Sequence, residues 1–368
     1  MLKVVLSGGP CAGKSTSLSM LERLLTEKLG KKVFTVPETA TELILSGFSP
    51  ADIKLTPKDF QKYCLRKQIQ KEKMYDDIVS QYYNQDDVVI LYDRGILDQL
   101  AYIDKNEFTE LLKEEGMYLS DVVNRYDAVI HLVTAALGTD VYTRANNTAR
   151  LESKEEAIEA DRRTLAGNML HPHVRVIDNS TDFDRKVRRV LDSIFELLGE
   201  PKPSEIERKF LIKYPTKEQL SKLDYVTKSE ILQTYLKRLD ENVERRVRQR
   251  GTKEKGYSYY YTEKESINSV KRLEQEEKIS VNQYVDLLNE ADTELHQIKK
   301  TRYCFIYKSQ YFELDIYPYS DKYAILEIEI SDENKDIELP DYLDIVKEVT
   351  DDDNYKNSSI AKTCKLNY

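Results

Sequence analysis

The run Gly8-Gly9-Pro10-Cys11-Ala12-Gly13-Lys14-Ser15-Thr16 follows directly on the apolar stretch Val4-Val5-Leu6. The spacing Gly8-x4-Gly13-Lys14-Ser15 is that of a phosphate-cradling loop, which demands a strand before it and a helix after it. The glycines let backbone N–H groups curl round a β-phosphate, Lys14 reaches the β and γ oxygens, and the Ser15 hydroxyl is placed to hold magnesium. A helix beginning near Lys14 adds its positive end. Residues 8–16 are therefore the candidate nucleotide-binding loop, for ATP or GTP.

The pattern around this loop agrees with it. Lys3–Leu6, Lys32–Val36, Val88–Tyr92, Ala128–Val133 and Val174–Ile177 read as strands separated by helical spacing, which predicts a parallel sheet covered on both faces. Phe183–Leu198 reads as a closing amphipathic helix with Gly199 after it. Pro201 and Pro203 then break the pattern, so a linker is expected at 200–204, between a domain 1–199 and a domain 205–368. Beyond it the period becomes two, over Glu205–Ile212, Leu232–Leu239, Val243–Arg250, Tyr257–Lys264, Lys300–Lys308, Tyr311–Tyr317 and Ala324–Ile330. The segment Val281–Glu290 has helical spacing. The second half is predicted to be antiparallel β with flanking helices.

A length of 368 residues is ample for two cores, and a formal net charge of −9 argues against a general DNA surface. Four cysteines without CxxC pairing and four histidines without a cluster point away from disulfides and zinc, towards a reducing, cytoplasmic setting. No apolar stretch has the length of a membrane span.

In the first half, Asp93 ends an apolar strand where a carboxylate can reach a magnesium shell, with Arg94, Gly95 and Asp98 after it. Glu38 follows Val36-Pro37 on the side where ligands gather. Arg144, Arg150, Arg162 and Arg163 lie in a later helical region able to close as a lid over developing charge. With GGPCAGKST, Pro37-Glu38, YDRG at 92–95, HLVTAALG at 131–138, NNTAR at 146–150 and HPHVRVIDNS at 171–180, this half resembles the AAA-type P-loop domains. Its relatives there are nicotinamide riboside kinase and a GTP-binding protein of photoreceptor trafficking. The resemblance implies that Glu38 is the acceptor's base and that Asp93 and Arg94 serve metal and phosphate. Gly95 departs from the Ser or Tyr of many small kinases, which leaves the acceptor open.

The second half carries charge where a sheet would normally be apolar. Residues two apart on a strand share a face, so Glu207 groups with Lys209, and Glu205 joins them. Likewise Arg246 groups with Arg248, Thr262 with Lys264, Glu274 with Glu276, Lys300 with Arg302, Glu313 with Asp315, and Glu327 with Glu329. Acids alone would suit a cation and bases alone an anion. Together they suit a Mg2+– or Mn2+–polyphosphate complex in a wet interior. Glu205-Ile206-Glu207-Arg208-Lys209 opening a β domain resembles the CYTH family, the triphosphate tunnel metalloenzymes. Further matches lie at 244–248, 261–264, 300–303, 312–315, 326–329 and 348–362. That resemblance implies an eight-stranded antiparallel tunnel. It makes Glu205, Glu207, Glu327 and Glu329 metal ligands, with Glu313 and Asp315 as second choices. Lys209, Arg246, Arg248, Lys264 and Arg302 would line the phosphate path, joined by Lys300 and Lys362.

Two functions stay open at this point. One is a bifunctional phosphate enzyme: a P-loop kinase or NTPase joined to a divalent-metal triphosphatase acting on tripolyphosphate, a nucleoside triphosphate or an RNA 5′-triphosphate end. The other is an ATP- or GTP-regulated binding protein whose tunnel holds a phosphorylated ligand or anionic phospholipid without cleaving it. Adenylate cyclisation is a third outcome that the CYTH resemblance allows.

Overall fold

The computed structural model describes residues 1–49, 55–137, 153–198, 206–224, 226–240, 243–253, 256–266, 272–308, 310–330 and 337–366. The chain divides into two compact units, Met1–Ile194 and Phe195–Tyr368. The expected linker at 200–204 lies outside the described residues, as do Glu205, Arg144 and Arg150.

The first unit is built on five parallel strands: β1 (Leu2–Ser7), β2 (Lys32–Val36), β3 (Val88–Asp93), β4 (Ala128–Leu132) and β5 (Val174–Ile177). Their order is β2-β3-β1-β4-β5. The central strands read as nearly unbroken apolar runs because both faces are covered: Val4, Val5, Leu6, Val89, Ile90, Leu91, Val129 and Ile130 are all fully buried. Since all five run the same way, Ser7, Glu38, Asp93, Thr134 and Asn179 stand at or just beyond one edge of the sheet, the carboxyl ends where ligands bind in such folds. Helix α1 (Lys14–Leu29) starts straight from the loop after β1. It ends at Gly30, whose left-handed φ of 63° lets its N–H reach Thr26 O. Four further helices matter below: α2 (Thr39–Leu45), α3 (Pro57–Tyr82), α6 (Lys154–Asn168) and α7 (Phe183–Leu197), with α4 (Lys105–Glu114) and α5 (Leu119–Val123) between α3 and α6.

The second unit is one antiparallel sheet of nine strands. They are β6 (Ile206–Lys213), β7 (Thr227–Leu236), β8 (Val243–Thr252), β9 (Gly256–Ser266), β10 (Arg272–Ile279), β11 (Ile298–Tyr307), β12 (Gln310–Ile316), β13 (Tyr323–Ile330) and β14 (Ile345–Glu348). Their order is β10-β9-β8-β7-β11-β12-β13-β6-β14, nine strands among the described residues beside the eight that the resemblance implies. Short β14, bulged against β6, is one of two strands absent from the expected set, its alternation too brief to read.

The register shows why the two faces differ. Directly paired residues share a face, and Lys209 pairs with Glu327, Glu327 with Glu313, and Asp315 with Arg302. Continuing across the sheet, Arg302 pairs with Ser229, Gln233 with Arg248, Arg246 with Thr262, and Thr262 with Glu276. One face is thus lined with charge from β6 to β10. The other face buries Phe210, Ile212, Phe305, Phe312, Leu314, Leu326 and Ile328 in an apolar cluster. Tyr284 of α9 (Val281–Leu287) packs with Leu236, Val247 and Ile279 on the β7–β10 side; α8 (Lys217–Ser221) precedes β7. The C-terminal helix α10 (Asn357–Thr363) joins Leu211, Tyr235, Ile298, Tyr317 and Ile325, apolar residues at one end of the charged face.

Candidate functional site

In the first unit the loop is shaped by steric needs that only glycine meets. Gly8 has φ 140°, and a Cβ there would stand 2.2 Å from Leu132 O. Gly13 has φ 86°, and a Cβ on Gly9 would stand 2.7 Å from Asp161 Cβ. Cys11 also takes a positive φ, 58°. Lys14 folds back over the loop, its Nζ donating to Gly8 O at 2.8 Å and Gly9 O at 3.0 Å. Burial, then the Arg94 charge, bring its ammonium down to about 8, against the pull of Asp93, Glu38 and Asp98. Ser15 and Thr16 border a cavity of about 540 Å³ with Ser19, Met20 and Arg23.

The predicted carboxylates converge beside Lys14. Asp93 pairs with Leu6 in register, its Oδ1 is buried with no hydrogen-bond partner among the described residues, and burial raises its pKa. Arg94 adopts φ 70°, a left-handed backbone that a bulky residue holds only when its surroundings enforce it. Here its N–H donates to Leu6 O at 3.1 Å, while Nε lies 2.6 Å from Glu38 Oε1 and Nη1 3.6 Å from Asp98 Oδ1. Burial pushes the Glu38 carboxyl up, but Arg94, the Thr41 hydroxyl and Lys14 together leave it below its ordinary value. Asp98 serves the turn itself: it accepts from Gly95 N–H at 2.7 Å and from the hydroxyl of Ser7. Arg163 points to Glu159 on its own helix, 2.9 Å away, and is exposed.

Two residues that the sequence reading passed over hold the loop in place. Asp161 of α6, only 3 % exposed, accepts at Oδ1 from Gly9 N–H (2.7 Å) and Thr134 N–H (3.2 Å), with His131 Nε2 at 3.3 Å. Lys186 of α7 donates to Val133 O (2.7 Å), Asn179 Oδ1 (2.7 Å) and Ala12 O (3.3 Å). The helical spacing of both was visible, but a charged residue on a helix is ordinarily solvated. The only hint was the second glycine, needed where α6 comes close.

Burial lowers the Lys186 ammonium to about 8, outweighing Asp161 and Asp178. Between that value and the ordinary lysine value the unfolded chain binds more protons than the folded one, so stability rises with pH through this window. The wild-type first unit should therefore gain stability relative to Lys186→Met as pH rises from about 7 to about 9.5. Denaturant midpoints of both proteins at the two pH values check this, and a constant difference would refute it.

In the second unit, the side chains on the charged face separate into two fields. On β6 and β11–β13, Arg302 is the hub. Its Nε and Nη2 donate to Asp315 Oδ1 and Oδ2 at 2.7 and 2.6 Å, Nη2 reaches Glu327 Oε2 at 2.7 Å, and Nη1 meets Glu313. Lys300 Nζ donates to Asp315 Oδ2 at 2.5 Å, and Lys209 Nζ lies 2.6 Å from Glu327 Oε1 and 2.9 Å from Glu207 Oε2. Asp315 is 0 % and Glu327 5 % exposed. Burial and the adjacent Glu327 charge raise the Glu207 pKa, despite Lys209. Lys209 is held above its ordinary value by Glu327 and Glu207, which override its burial.

On β8 the balance is reversed. Arg246, Arg248 and Arg250 stand on the same face, and Arg248 Nη2 has its acid, Glu276 Oε2, at 3.7 Å. Burial lowers the Arg248 pKa, Glu276 opposes this, and Arg246, Arg302 and Arg250 add to it. Its Nε is buried with no hydrogen-bond partner among the described residues. Arg250, which the sequence reading left among the strand residues, donates to Cys304 Sγ at 3.6 Å. Lys264 shares this face through its pairing with Glu244. Lys362 is exposed on α10. Glu329 pairs with Glu207 in register. Among the described residues no three His, Cys, Asp or Glu side chains are disposed to hold a metal ion, since Lys209 and Arg302 stand between the acids.

A phosphate-cradling loop on a parallel α/β unit, followed by a β unit whose charged face divides into acids and arginines, defines a phosphate-handling protein of two parts. The chain belongs to the AAA domain family, whose model matches residues 3–186, and a CYTH domain matches residues 203–362. No curated protein matches it. Among solved structures, the inorganic triphosphatase NE1496 is similar at 29 % identity, over 44 % of this chain and 97 % of its own, with a TM-score of 0.32. The PH1012 protein from Pyrococcus horikoshii OT3 is similar at 20 % identity, over 35 % of this chain and 80 % of its own, with a TM-score of 0.27. No helix among the described residues is long and apolar enough to cross a membrane.

Proposed function

We propose that the chain is a bifunctional phosphate enzyme, in which the first unit binds ATP or GTP for phosphoryl transfer or hydrolysis and the second hydrolyses a triphosphate. The observation that carries the reading is the separation of acids from arginines on one buried face. The acids of β6, β12 and β13 suit a hard cation, and the neighbouring arginines of β8 suit the phosphate oxygens that cation accompanies.

Acids stand at both places where a divalent cation would bind, in the second unit with Lys209 and Arg302 paired to them. In the first unit the orphaned Asp93 oxygen and the Ser15 hydroxyl would hold magnesium. In the second, a Glu207 carboxyl pushed up by burial and by Glu327 marks acids that a cation would relieve. Glu313 and Asp315, here paired with Arg302, would supply further oxygens. Such a cation neutralises phosphate charge and activates water.

The chain's own groups have distinct parts. Lys14, Arg246, Arg248, Arg250 and Arg302 bind phosphate as fixed charges. Lys209 stays protonated between two carboxylates, so it acts as a cation and not as a base. Glu38 in its Arg94 pair is a weak proton acceptor. It becomes the base for an acceptor hydroxyl when Arg94 turns to a phosphate oxygen.

Phosphate release by the full chain, with Mg2+ or Mn2+, tests the reading. Release from tripolyphosphate should be lost in Glu207→Gln and kept in Lys14→Ala. Turnover of ATP or GTP at the first unit should show the converse. If neither variant lowers release, the enzymatic reading fails. Binding of phosphatidic acid vesicles without any release would instead favour a nucleotide-regulated binding protein.

A further inference from the structure

We propose that Phe183 is the platform on which a nucleobase stacks, so that the first unit selects nucleoside triphosphates over bare polyphosphate. This rests on the loop at residues 8–16 being a nucleotide site, and adds to it the part of the ligand that the loop does not touch.

Phe183 opens α7 just beyond the carboxyl end of β5, on the edge of the sheet where ligands gather. Its ring lies directly on the phosphate loop: a Cβ on Gly13 would stand 2.6 Å from Cε2 and 3.3 Å from Cζ. Yet the residue remains 39 % exposed. An aromatic ring seated on the loop and still open to solvent is a stacking surface, because every base has a π face.

The ring's position relative to the loop is fixed. Asn179 Nδ2 donates to Thr134 O and Leu137 O, both at 2.7 Å. Lys186, one turn further along α7, ties that helix to Ala12 O, Val133 O and Asn179 Oδ1. A charged lysine is buried here at a cost in desolvation, and what it secures is the offset between ring and phosphate cradle. Thr181, two residues before the ring, has a buried Oγ1 with no hydrogen-bond partner among the described residues. A donor or acceptor on a base edge would satisfy it. The segment 171–180, among the more specific sequence motifs, ends in this loop and otherwise has no part in phosphate handling.

The chain contains no tryptophan, so Phe183→Trp in the full protein places a single fluorophore at the platform. Saturating ATP or GTP should quench its emission, saturating tripolyphosphate should not, and the added Lys14→Ala should abolish the response. Phe183→Ala should weaken Lys14-dependent nucleotide binding about tenfold. Equal responses to nucleotide and tripolyphosphate would overturn the proposal, as would Lys14-dependent nucleotide binding that leaves the emission unchanged; both leave the loop's role intact. No Lys14-dependent binding of any nucleotide would overturn the platform and the nucleotide reading together.

Discussion

Arg302→Met is expected to lower the stability of the second unit by about 3 kcal/mol and to abolish its phosphate release. Removing one partner of a buried ion pair leaves the other charge uncompensated, and Arg302 has three partners: Asp315, Glu327 and Glu313. The cost should sit at the lower end of what such losses produce. Lys300 still faces Asp315 at 2.5 Å, and Lys209 still faces Glu327 at 2.6 Å. Arg302→Lys should fall between, since an ammonium cannot bridge carboxylates on two strands as a planar guanidinium does. Adding Asp315→Asn to Arg302→Met should return part of the loss, because it removes the acid left most exposed to burial cost. Urea titrations of the four proteins decide it. A loss below about 1 kcal/mol for Arg302→Met would mean that the acids are not held by this residue.

Arg248→Ala should do the opposite to stability and the same to activity. Arg248 is buried among Arg246, Arg250 and Arg302, with Glu276 Oε2 3.7 Å from its Nη2. Its charge is a burden on the fold, so truncation should leave the urea midpoint unchanged or raise it. Removal of a preorganised cation from developing phosphate charge typically costs about hundredfold in turnover, and that is the loss expected in kcat/KM for tripolyphosphate. A variant that is both destabilised and fully active would show that Arg248 is a structural residue. The two arginines share a residue type and a sheet face, and among the described residues Arg302 has three paired acids where Arg248 has one.

Much of this arrangement was legible because two periodicities carry it. Apolar runs of β1, β3 and β4 mark strands buried on both faces, and the glycine spacing at 8–16 admits one local geometry. In the second half, strict alternation placed Glu207 with Lys209 and Lys300 with Arg302, and the register joins those pairs across strands. What failed has physical reasons. β7 starts at Thr227, five residues before the expected Leu232, because its early residues Thr227 and Ser229 line a polar interior and do not read as apolar. β10, Arg-Leu-Glu-Gln-Glu-Glu-Lys-Ile, carries too much charge to look like a strand until its pairing with β9 supplies the reason. Asp161 and Lys186 act on the loop from distant helices, a relation that no local spacing encodes. The turn that gives Arg94 its positive φ brings the guanidinium to Glu38, a pairing that local spacing likewise does not encode.

Strand β7 lies between the two fields, and on the shared face it contributes Thr227, Ser229, Ile231 and Gln233, none of them charged. It acts as an electrical spacer: attraction on one flank does not discharge repulsion on the other. Ligand preference could therefore drift through this strand alone, since one carboxylate at Gln233, opposite Arg248, would silence an anion receptor without touching any residue that grips the ligand.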